Sequence, residues 1–316
     1  MVNNETTIGA QAHKRKTKLM GNQFELTVVH ENDTWAEERI DEAIGEIKRI
    51  EALLTTFSEE SQTAKINAAA GIQPVRVEKE VFELIHRSLK ISSLTQGAFD
   101  ITYGSIDKRF WNFDVNMTAL PDKKTAKQSV RLINWRNVLL DEKECTVFLK
   151  EKGMRIGFGG IGKGYAADKA KQLLQKKGVQ HGVVNASGDL TTWGVQPNGK
   201  PWTVGIASPH HQRLPFSYLD VSNMAVATSG NYEKYAIIDG KRYSHTIDPK
   251  TGFPVSGIKS VTIICTSPEL ADALATPVMV MGRNAGLNLI NQMKNIACII
   301  IDDNDRLHTS NNIKIR

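Results

Sequence analysis

The stretch Gly157-Phe-Gly-Gly-Ile-Gly-Lys-Gly164 places five glycines in eight positions, at the start of a segment with helical character. That segment runs from Lys163 to about Lys177, and Gly178 ends it. Glycine lets backbone N–H groups approach phosphate oxygens closely, and the N-terminus of a helix adds a dipole that favours an anion. The stretch therefore predicts a phosphate-handling loop at the beginning of a helix.

Two known phosphate motifs nearly fit this loop, and each fails a test of context. The letters satisfy G-x-G-x-x-G, the dinucleotide fingerprint, and G-x-x-x-x-G-K, the beginning of a P-loop. A P-loop needs Ser or Thr after the lysine, but position 164 is glycine. A dinucleotide fold needs an opening strand–helix–strand unit, whereas this loop lies mid-chain and the next strand ends in Asn185-Ala-Ser-Gly-Asp189. On its letters alone, a tight turn without a ligand fits equally well.

Around this loop, strands and helices do not alternate strictly, which favours an α+β fold over a doubly wound parallel sheet. A strand is predicted over Phe24 to His30, and Thr34 with Glu37 forms a capping box that opens a helix. A second helix over 79–94 has a predicted buried stripe of Val81, Phe82, Ile85, Leu89 and Leu94. Further strands are predicted at 147–149, 182–185, 202–206, 224–228, 261–265 and 296–301, and further helices at 163–177, 268–281 and 284–293.

Composition describes an ordinary globular protein: 316 residues, 41% hydrophobic and 23% charged. The net charge of +6 comes partly from a basic cluster between His13 and Lys18, so residues 1–18 are predicted to be a flexible tail and residues 19–316 the folded domain. No surface pattern of interleaved aromatic and basic residues indicates a nucleic-acid partner.

The three cysteines and the apolar runs bear on the compartment. Cys145, Cys265 and Cys298 lie in apolar runs and are predicted to be buried free thiols. No apolar run has the length of a transmembrane segment, and the first 30 residues contain no signal peptide or lipobox. The sequence as it stands predicts a cytoplasmic protein. A periplasmic, membrane-anchored protein is expected if an N-terminal signal precedes this numbering.

Oxygen ligands for a cation are indicated near the C-terminus. Asp272 and Thr276 lie four residues apart at the beginning of a predicted helix, which puts a carboxylate and a hydroxyl on the same face. This pair suits a hard cation such as Mg²⁺. The alternative is that Asp272 is solvated and Thr276 bonds to a carbonyl of its own helix, and the segment alone favours this alternative.

His245 is the candidate general base. It precedes the turn Asp248-Pro-Lys-Thr-Gly252, which holds the imidazole near a loop and away from the core. Histidine is the usual general base near neutral pH, although most histidines are structural. The other seven histidines show no metal-ligand spacing.

Eight segments in register make the chain similar to the ApbE family, the FAD:protein FMN transferases, over nearly the whole chain after residue 18. The segments are Met20-Gly21, Leu54-Thr-Thr-Phe57, Gly97-Ala-Phe-Asp100-Ile-Thr, Gly159-Gly-Ile-Gly-Lys-Gly-Tyr-Ala-Ala-Asp168, Asn185-Ala-Ser-Gly-Asp189, Ala227-Thr-Ser-Gly230, the His245 turn and the Asp272/Thr276 pair.

The resemblance implies a fold related to the T-fold, with two lobes, mixed or antiparallel sheets and packed helices. It also implies a flavin transferase that splits FAD at its pyrophosphate, passes FMN to a threonine hydroxyl of an acceptor flavoprotein as a phosphoester, and releases AMP. Members of the family need Mg²⁺, and an FAD pyrophosphatase that uses water and a non-catalytic FAD-binding protein are the alternatives.

The resemblance also assigns residues to roles. His245 is the implied base that deprotonates the acceptor threonine. The implied metal ligands are Asp272, Thr276 and the backbone carbonyls of Gly160 and Ala275. The implied flavin and adenine contacts are Met20, Phe57, Ala98, Phe99, Asp100 and Lys163. One departure concerns Gly157, where relatives commonly carry aspartate, and it changes one expected contact with FAD.

Overall fold

The computed structural model describes residues 9–207, 215–231 and 234–313, and strands provide its framework. The strands are β1 (Gln11–Leu19), β2 (Asn22–His30), β3 (Val75–Arg76), β4 (Val138–Asp141), β5 (Thr146–Leu149), β6 (Gly182–Ala186), β7 (Asp189–Trp193), β8 (Thr203–Ala207), β9 (Pro215–Asp220), β10 (Ala225–Gly230), β11 (Tyr235–Ile238), β12 (Lys241–Ser244), β13 (Ile258–Cys265), β14 (Ala297–Asp302) and β15 (Leu307–Thr309).

Helices connect and cover these strands. They are α1 (Asp33–Leu54), α2 (Gln62–Ala68), α3 (Lys79–Leu94), α4 (Lys123–Ser129), α5 (Gly162–Lys176), α6 (Pro268–Met281) and α7 (Arg283–Asn291), with short 3-10 helices at Ile101–Ser105 and Trp135–Asn137. The predicted helices over 79–94 and 268–281 are confirmed at both ends.

Eight strands form one sheet in the order β1-β2-β6-β7-β10-β13-β14-β15, and every neighbouring pair is antiparallel. The smaller sheets are β3-β5-β4, β8-β9 and β11-β12. The α+β prediction is therefore confirmed, because antiparallel hairpins rather than strand–helix–strand units build the main sheet.

Two tight hairpins of this sheet carry residues of the candidate site. Met20 (φ 51°) and Gly21 (φ 73°) connect β1 to β2, and Ser187 (φ 58°) and Gly188 (φ 99°) connect β6 to β7. Two-residue connections with positive φ at both positions match the right-handed twist of paired strands. The first hairpin places Met20 in the turn between β1 and β2, and the second places Asp189 at the first position of β7.

The core falls into two main clusters. One lies between α1, α3, α5 and the first strands of the sheet, and the other lies between α6, α7 and the strands β10, β13 and β14. The buried residues of α1 follow helical spacing along one face: Ile40, Ala43, Ile44, Ile47, Ile50 and Leu54. A smaller cluster that includes Val221, Val226 and Trp202 packs β10 against the β8–β9 region.

The structure corrects the prediction of a flexible tail over residues 1–18 where it describes them, and residues 1–8 lie outside the described part of the chain. Strand β1 begins at Gln11 and pairs with β2 along its whole length, while Arg15 forms ion pairs with Glu37 and Asp41 of α1. The basic composition of this segment is that of an edge strand with charged side chains, which prevents further strand pairing.

Three smaller predictions are also wrong. Helix α1 begins after Asn32, whose side chain accepts a hydrogen bond from the N–H of Trp35 at 2.8 Å, so the helix opens before the predicted capping box. Leu94 is 45% exposed, because it lies at the last position of α3, beyond the stripe that faces the core. All three cysteines are free as predicted, but Cys145 is only partly buried.

Within the described ranges, no helix combines the length and apolarity that crossing a membrane requires.

Candidate active site

A cleft of about 850 Å³ opens between the β1–β2 turn, the end of α1, the glycine loop before α5, the His245 turn and α6. Of the residues that the resemblance assigns to the site, only Asp272 and Ala275 do not line this cleft, and both are buried on α6 just behind it. The residues that line it are Met20, Phe57, Ala98, Phe99, Asp100, Gly160, Lys163, His245 and Thr276.

The glycine loop leads directly into the N-terminus of α5. The carbonyl of Phe158 accepts hydrogen bonds from the N–H groups of Ile161 (3.2 Å) and Gly162 (2.6 Å), so the chain turns tightly before the helix begins. A Cβ atom on Gly164 would lie 2.2 Å from the carbonyl oxygen of Pro268 and 2.7 Å from Cβ of Asp272. The serine or threonine of a P-loop cannot fit here, because α5 and α6 touch at this glycine.

Asp272 is the contact between these two helices. Its Oδ2 accepts a hydrogen bond from the N–H of Gly164 at 2.9 Å, and only 6% of the residue is exposed. Burial raises the pKa of this carboxyl above its usual range, and the ammonium group of Lys163 opposes that rise. Asp272 is therefore not solvated, in contrast to the alternative that its sequence segment favours.

Lys163, in the first turn of α5, reaches a second buried carboxylate. Its Nζ donates a hydrogen bond to Oδ2 of Asp189 on β7, and Oδ1 of the same aspartate accepts one from the N–H of Thr228 at 3.1 Å. Burial lowers the pKa of Lys163, but the charges of Asp272 and Asp189 outweigh it and raise the pKa. The ammonium group therefore remains charged beside two carboxylates.

Thr276 presents its hydroxyl next to another hydroxyl. Its Oγ1 lies 2.7 Å from Oγ of Ser229 on β10, and either atom can be the donor. Thr276 thus bonds across to the sheet rather than back to its own helix. Because Thr276 and Asp272 are separated by one turn of α6, a carboxylate and a hydroxyl oxygen lie on the same face of this helix, as the sequence predicts.

His245 lies exposed in the cleft and is fixed by one main-chain carbonyl. The carbonyl oxygen of Lys234 lies 3.2 Å from Nδ1 of His245 and also accepts its backbone N–H at 3.1 Å. A carbonyl oxygen can only accept, so the proton of the neutral imidazole belongs on Nδ1, and Nε2 keeps its lone pair. The turn after it is closed by hydrogen bonds from the N–H groups of Asp248 and Gly252, to Phe253 and Asp248 respectively.

Three of the implied cofactor contacts differ in exposure, backbone conformation and hydrogen bonding. Phe57 is 97% exposed at its edge, so its ring is available to cover a ligand. Met20 occupies the left-handed region, which is uncommon outside glycine and is frequent at ligand sites. The carboxylate of Asp100 accepts hydrogen bonds from the protein itself, from the N–H and hydroxyl of Thr102 and the N–H of Trp135, and thereby holds the cleft wall.

Sequence reasoning assigned no role to Asp189, Ser229 or Arg155. The first two belong to the segments 185–189 and 227–230, which contribute to the resemblance without a role for either side chain. Arg155 lines the cleft, and within the described residues no acidic side chain forms an ion pair with it. Only the packing of β7 and β10 against α5 and α6 reveals that Asp189 meets Lys163 and Ser229 meets Thr276.

The fold and the cleft together define a class of protein: an α+β chain with an antiparallel sheet and a large cleft at a helix N-terminus. The chain belongs to the ApbE family, whose model matches residues 20–300.

Individual relatives agree with this family. The chain is 33% identical over 272 residues to an FAD:protein FMN transferase of Klebsiella pneumoniae, covering 85% of this chain and 84% of the relative. It is 31% identical over 286 residues to an FAD:protein FMN transferase of Treponema pallidum, covering 86% and 79%. Among solved structures, the ApbE protein of Thermotoga maritima superposes with a TM-score of 0.83 at 29% identity, covering 95% of this chain and 97% of that one. The flavinyl transferase ApbE of Pseudomonas stutzeri gives a TM-score of 0.82 at 26% identity, covering 96% and 95%.

Proposed function

We propose that this protein is an Mg²⁺-dependent FAD:protein FMN transferase, which attaches FMN to a threonine of an acceptor flavoprotein. One observation carries the proposal. A single cleft is lined by a histidine whose Nδ1 meets a carbonyl oxygen, a charged lysine at a helix N-terminus and the hydroxyl of Thr276, and the buried carboxylate of Asp272 lies one turn before Thr276 on the same helix. These are the groups that a phosphoryl-type transfer requires, since it depends mainly on alignment and charge neutralisation.

The residues around Asp272 fit a magnesium ion. Mg²⁺ prefers hard oxygen ligands and is usually held by one or two carboxylates together with substrate phosphates. The candidate ligands are Asp272, Thr276 and the backbone carbonyls of Gly160 and Ala275. A carboxylate as buried as Asp272 is costly to ionise on its own, so a cation beside it offsets that cost. When bound, the ion neutralises charge on the pyrophosphate oxygens.

The protein groups then have separate tasks. Lys163 and the N-terminus of α5 hold the phosphate oxygens, and the exposed ring of Phe57 covers part of the cofactor. Nε2 of His245 accepts the proton of the acceptor threonine as its oxygen attacks the phosphorus of the FMN half. A P–O bond to that threonine forms, the bond to the AMP phosphate breaks, and AMP leaves.

The test is mass spectrometry of a candidate acceptor protein after incubation with this protein, FAD and Mg²⁺. The expected result is a mass gain on a threonine equal to FMN less one water, with AMP released in equal amount. The matched control is the same acceptor with that threonine replaced by valine, which should gain no mass. Release of FMN and AMP at the same rate without acceptor would instead identify an FAD pyrophosphatase, and unchanged FAD would identify a binding protein.

A further inference from the structure

Two buried carboxylates share one ammonium group behind the cleft. Asp189 is 5% exposed and Asp272 is 6% exposed, and both act electrostatically on Lys163. Only Asp189 forms a hydrogen bond to Nζ, whereas Asp272 accepts from the backbone of α5. The lysine is therefore drawn to one carboxylate while it remains within electrostatic range of the other.

Asp189 is itself fixed in place. It follows the tight turn of Ser187 and Gly188, and the N–H of Thr228 on the neighbouring strand bonds to its Oδ1. One carboxylate oxygen is thus occupied by the sheet and the other by Lys163. This arrangement fixes the direction in which the carboxylate attracts the ammonium group.

Lys163 is a potential competitor of any cation at Asp272. Its ammonium group is a compact point charge on a flexible four-carbon stem, so without Asp189 it would form an ion pair with Asp272. We propose that Asp189 is a positioning residue that holds the ammonium group of Lys163 off Asp272 and so keeps that carboxylate available to a divalent cation. This inference rests on the proposed function, because it takes Asp272 to be the ligand of Mg²⁺.

The experiment is calorimetric titration of MgCl₂ into the protein without FAD, so that its readout is independent of turnover. Asp189→Asn removes the negative charge but keeps the size of the side chain, and Mg²⁺ should then bind about 10- to 100-fold more weakly. Replacing the competitor as well, in Asp189→Asn/Lys163→Met, should restore the affinity to within about 3-fold of the original value. A residue that only stabilises the fold would show no such rescue.

Two comparisons accompany this titration. Asp305 forms a similar carboxylate–lysine pair with Lys259 at 2.6 Å, in the turn between β14 and β15 and outside the cleft, so Asp305→Asn should leave the Mg²⁺ affinity unchanged. A crystal structure of the unaltered protein with Mg²⁺ alone should show Lys163 still bonded to Asp189. That structure provides a result even if Asp189→Asn does not fold.

The outcomes separate this inference from the proposed function. No Mg²⁺ binding by the unaltered protein would overturn the cation site and this inference with it. Normal binding in Asp189→Asn, absence of rescue in the double variant, or Lys163 displaced from Asp189 in the Mg²⁺-loaded crystal would overturn the role of Asp189 and leave the cation site standing.

Discussion

The carboxylate of Asp272 on α6 accepts the backbone N–H of Gly164 on α5 at 2.9 Å. One side chain therefore has two functions: it satisfies a donor at the N-terminus of α5, and it is the candidate ligand of the metal ion. Negative charge at a helix N-terminus is favourable, but burial of the same charge is not. Burial accordingly raises the pKa of Asp272, and a cation beside the carboxylate would offset the cost of ionising it.

Asp272→Asn separates these two functions. The asparagine Oδ1 can still accept the N–H of Gly164, but the ligand charge is lost, so Mg²⁺ affinity should fall at least about 100-fold while the fold persists. The folded-state pKa of Asp272 is raised by burial, so this group favours folding in its neutral form at low pH, and that contribution is lost as pH rises from the unfolded pKa toward the folded one. Metal-free Asp272→Asn should therefore gain stability relative to the original protein between about pH 4 and 8.

Thermal unfolding across that pH range, with EDTA and then with excess Mg²⁺, measures both effects. Asp272→Ala is the comparison, because it leaves the N–H of Gly164 without its acceptor and should unfold at a lower temperature than the asparagine variant. The stability of the original protein, relative to Asp272→Asn, should fall as the pH rises. No such fall would contradict the burial of the Asp272 carboxylate.

Gly164→Ala should destabilise the protein although alanine favours helices. The added methyl group would lie 2.2 Å from the carbonyl oxygen of Pro268, which is backbone and cannot rotate away. We expect a loss of about 2–3 kcal/mol in the free energy of unfolding, with weaker Mg²⁺ binding because Asp272 is displaced. Gly159→Ala in the same loop is the matched control, since its Cβ meets nothing within 4 Å. Urea denaturation of both variants checks this, and equal stability would refute the close approach of the two helices.

Helices of this fold are easier to predict from the sequence than its exposed strands. Helical periodicity predicts α3, because an amphipathic stripe follows from local spacing. The sequence does not predict strand β1, because its exposed basic residues are typical of a flexible tail. Only pairing with β2 makes this segment a strand. β11 and β12 were missed for a similar reason, because short, partly exposed strands have weak alternation.

Within the candidate site, pairs on one element can be predicted from the sequence, whereas pairs between elements cannot. Asp272 and Thr276 could be predicted as a pair because both lie on one helix. The pairs that cross between elements, Asp189 with Lys163 and Ser229 with Thr276, depend on sheet order and helix packing. No spacing rule within a single segment contains that information, so these partners emerged only from the structure.

His245→Ala should remove the base and leave FAD binding intact. His245 is exposed, and among the described residues its ring has one hydrogen-bond partner, the carbonyl of Lys234, so truncation should not disturb the core. The transfer rate should fall by about 10²- to 10⁴-fold, whereas the dissociation constant for FAD should change by less than about 3-fold. Stopped-flow transfer assays and FAD fluorescence titration measure the two quantities. His86→Ala, on the exposed face of α3, should behave as the original protein, and normal transfer by His245→Ala would exclude His245 from the chemistry.

Gly157→Asp tests the departure at position 157 that the resemblance to the family implies. A Cβ at position 157 would meet nothing within 4 Å, the backbone there is not left-handed, and the N–H of Gly157 already bonds to the carbonyl of Ile101 at 3.0 Å. The aspartate should therefore be accommodated with a change in unfolding free energy within about 0.5 kcal/mol. If it supplies the contact that the resemblance implies, FAD should bind up to about 10-fold more tightly, as one added hydrogen bond allows. Gly159→Asp offers the same charge at another open position of the loop and should not improve binding. Fluorescence titration of FAD into the original protein, Gly157→Asp and Gly159→Asp measures the three affinities. Weaker binding by Gly157→Asp than by the original protein would mean that this chain holds FAD without a contact at position 157.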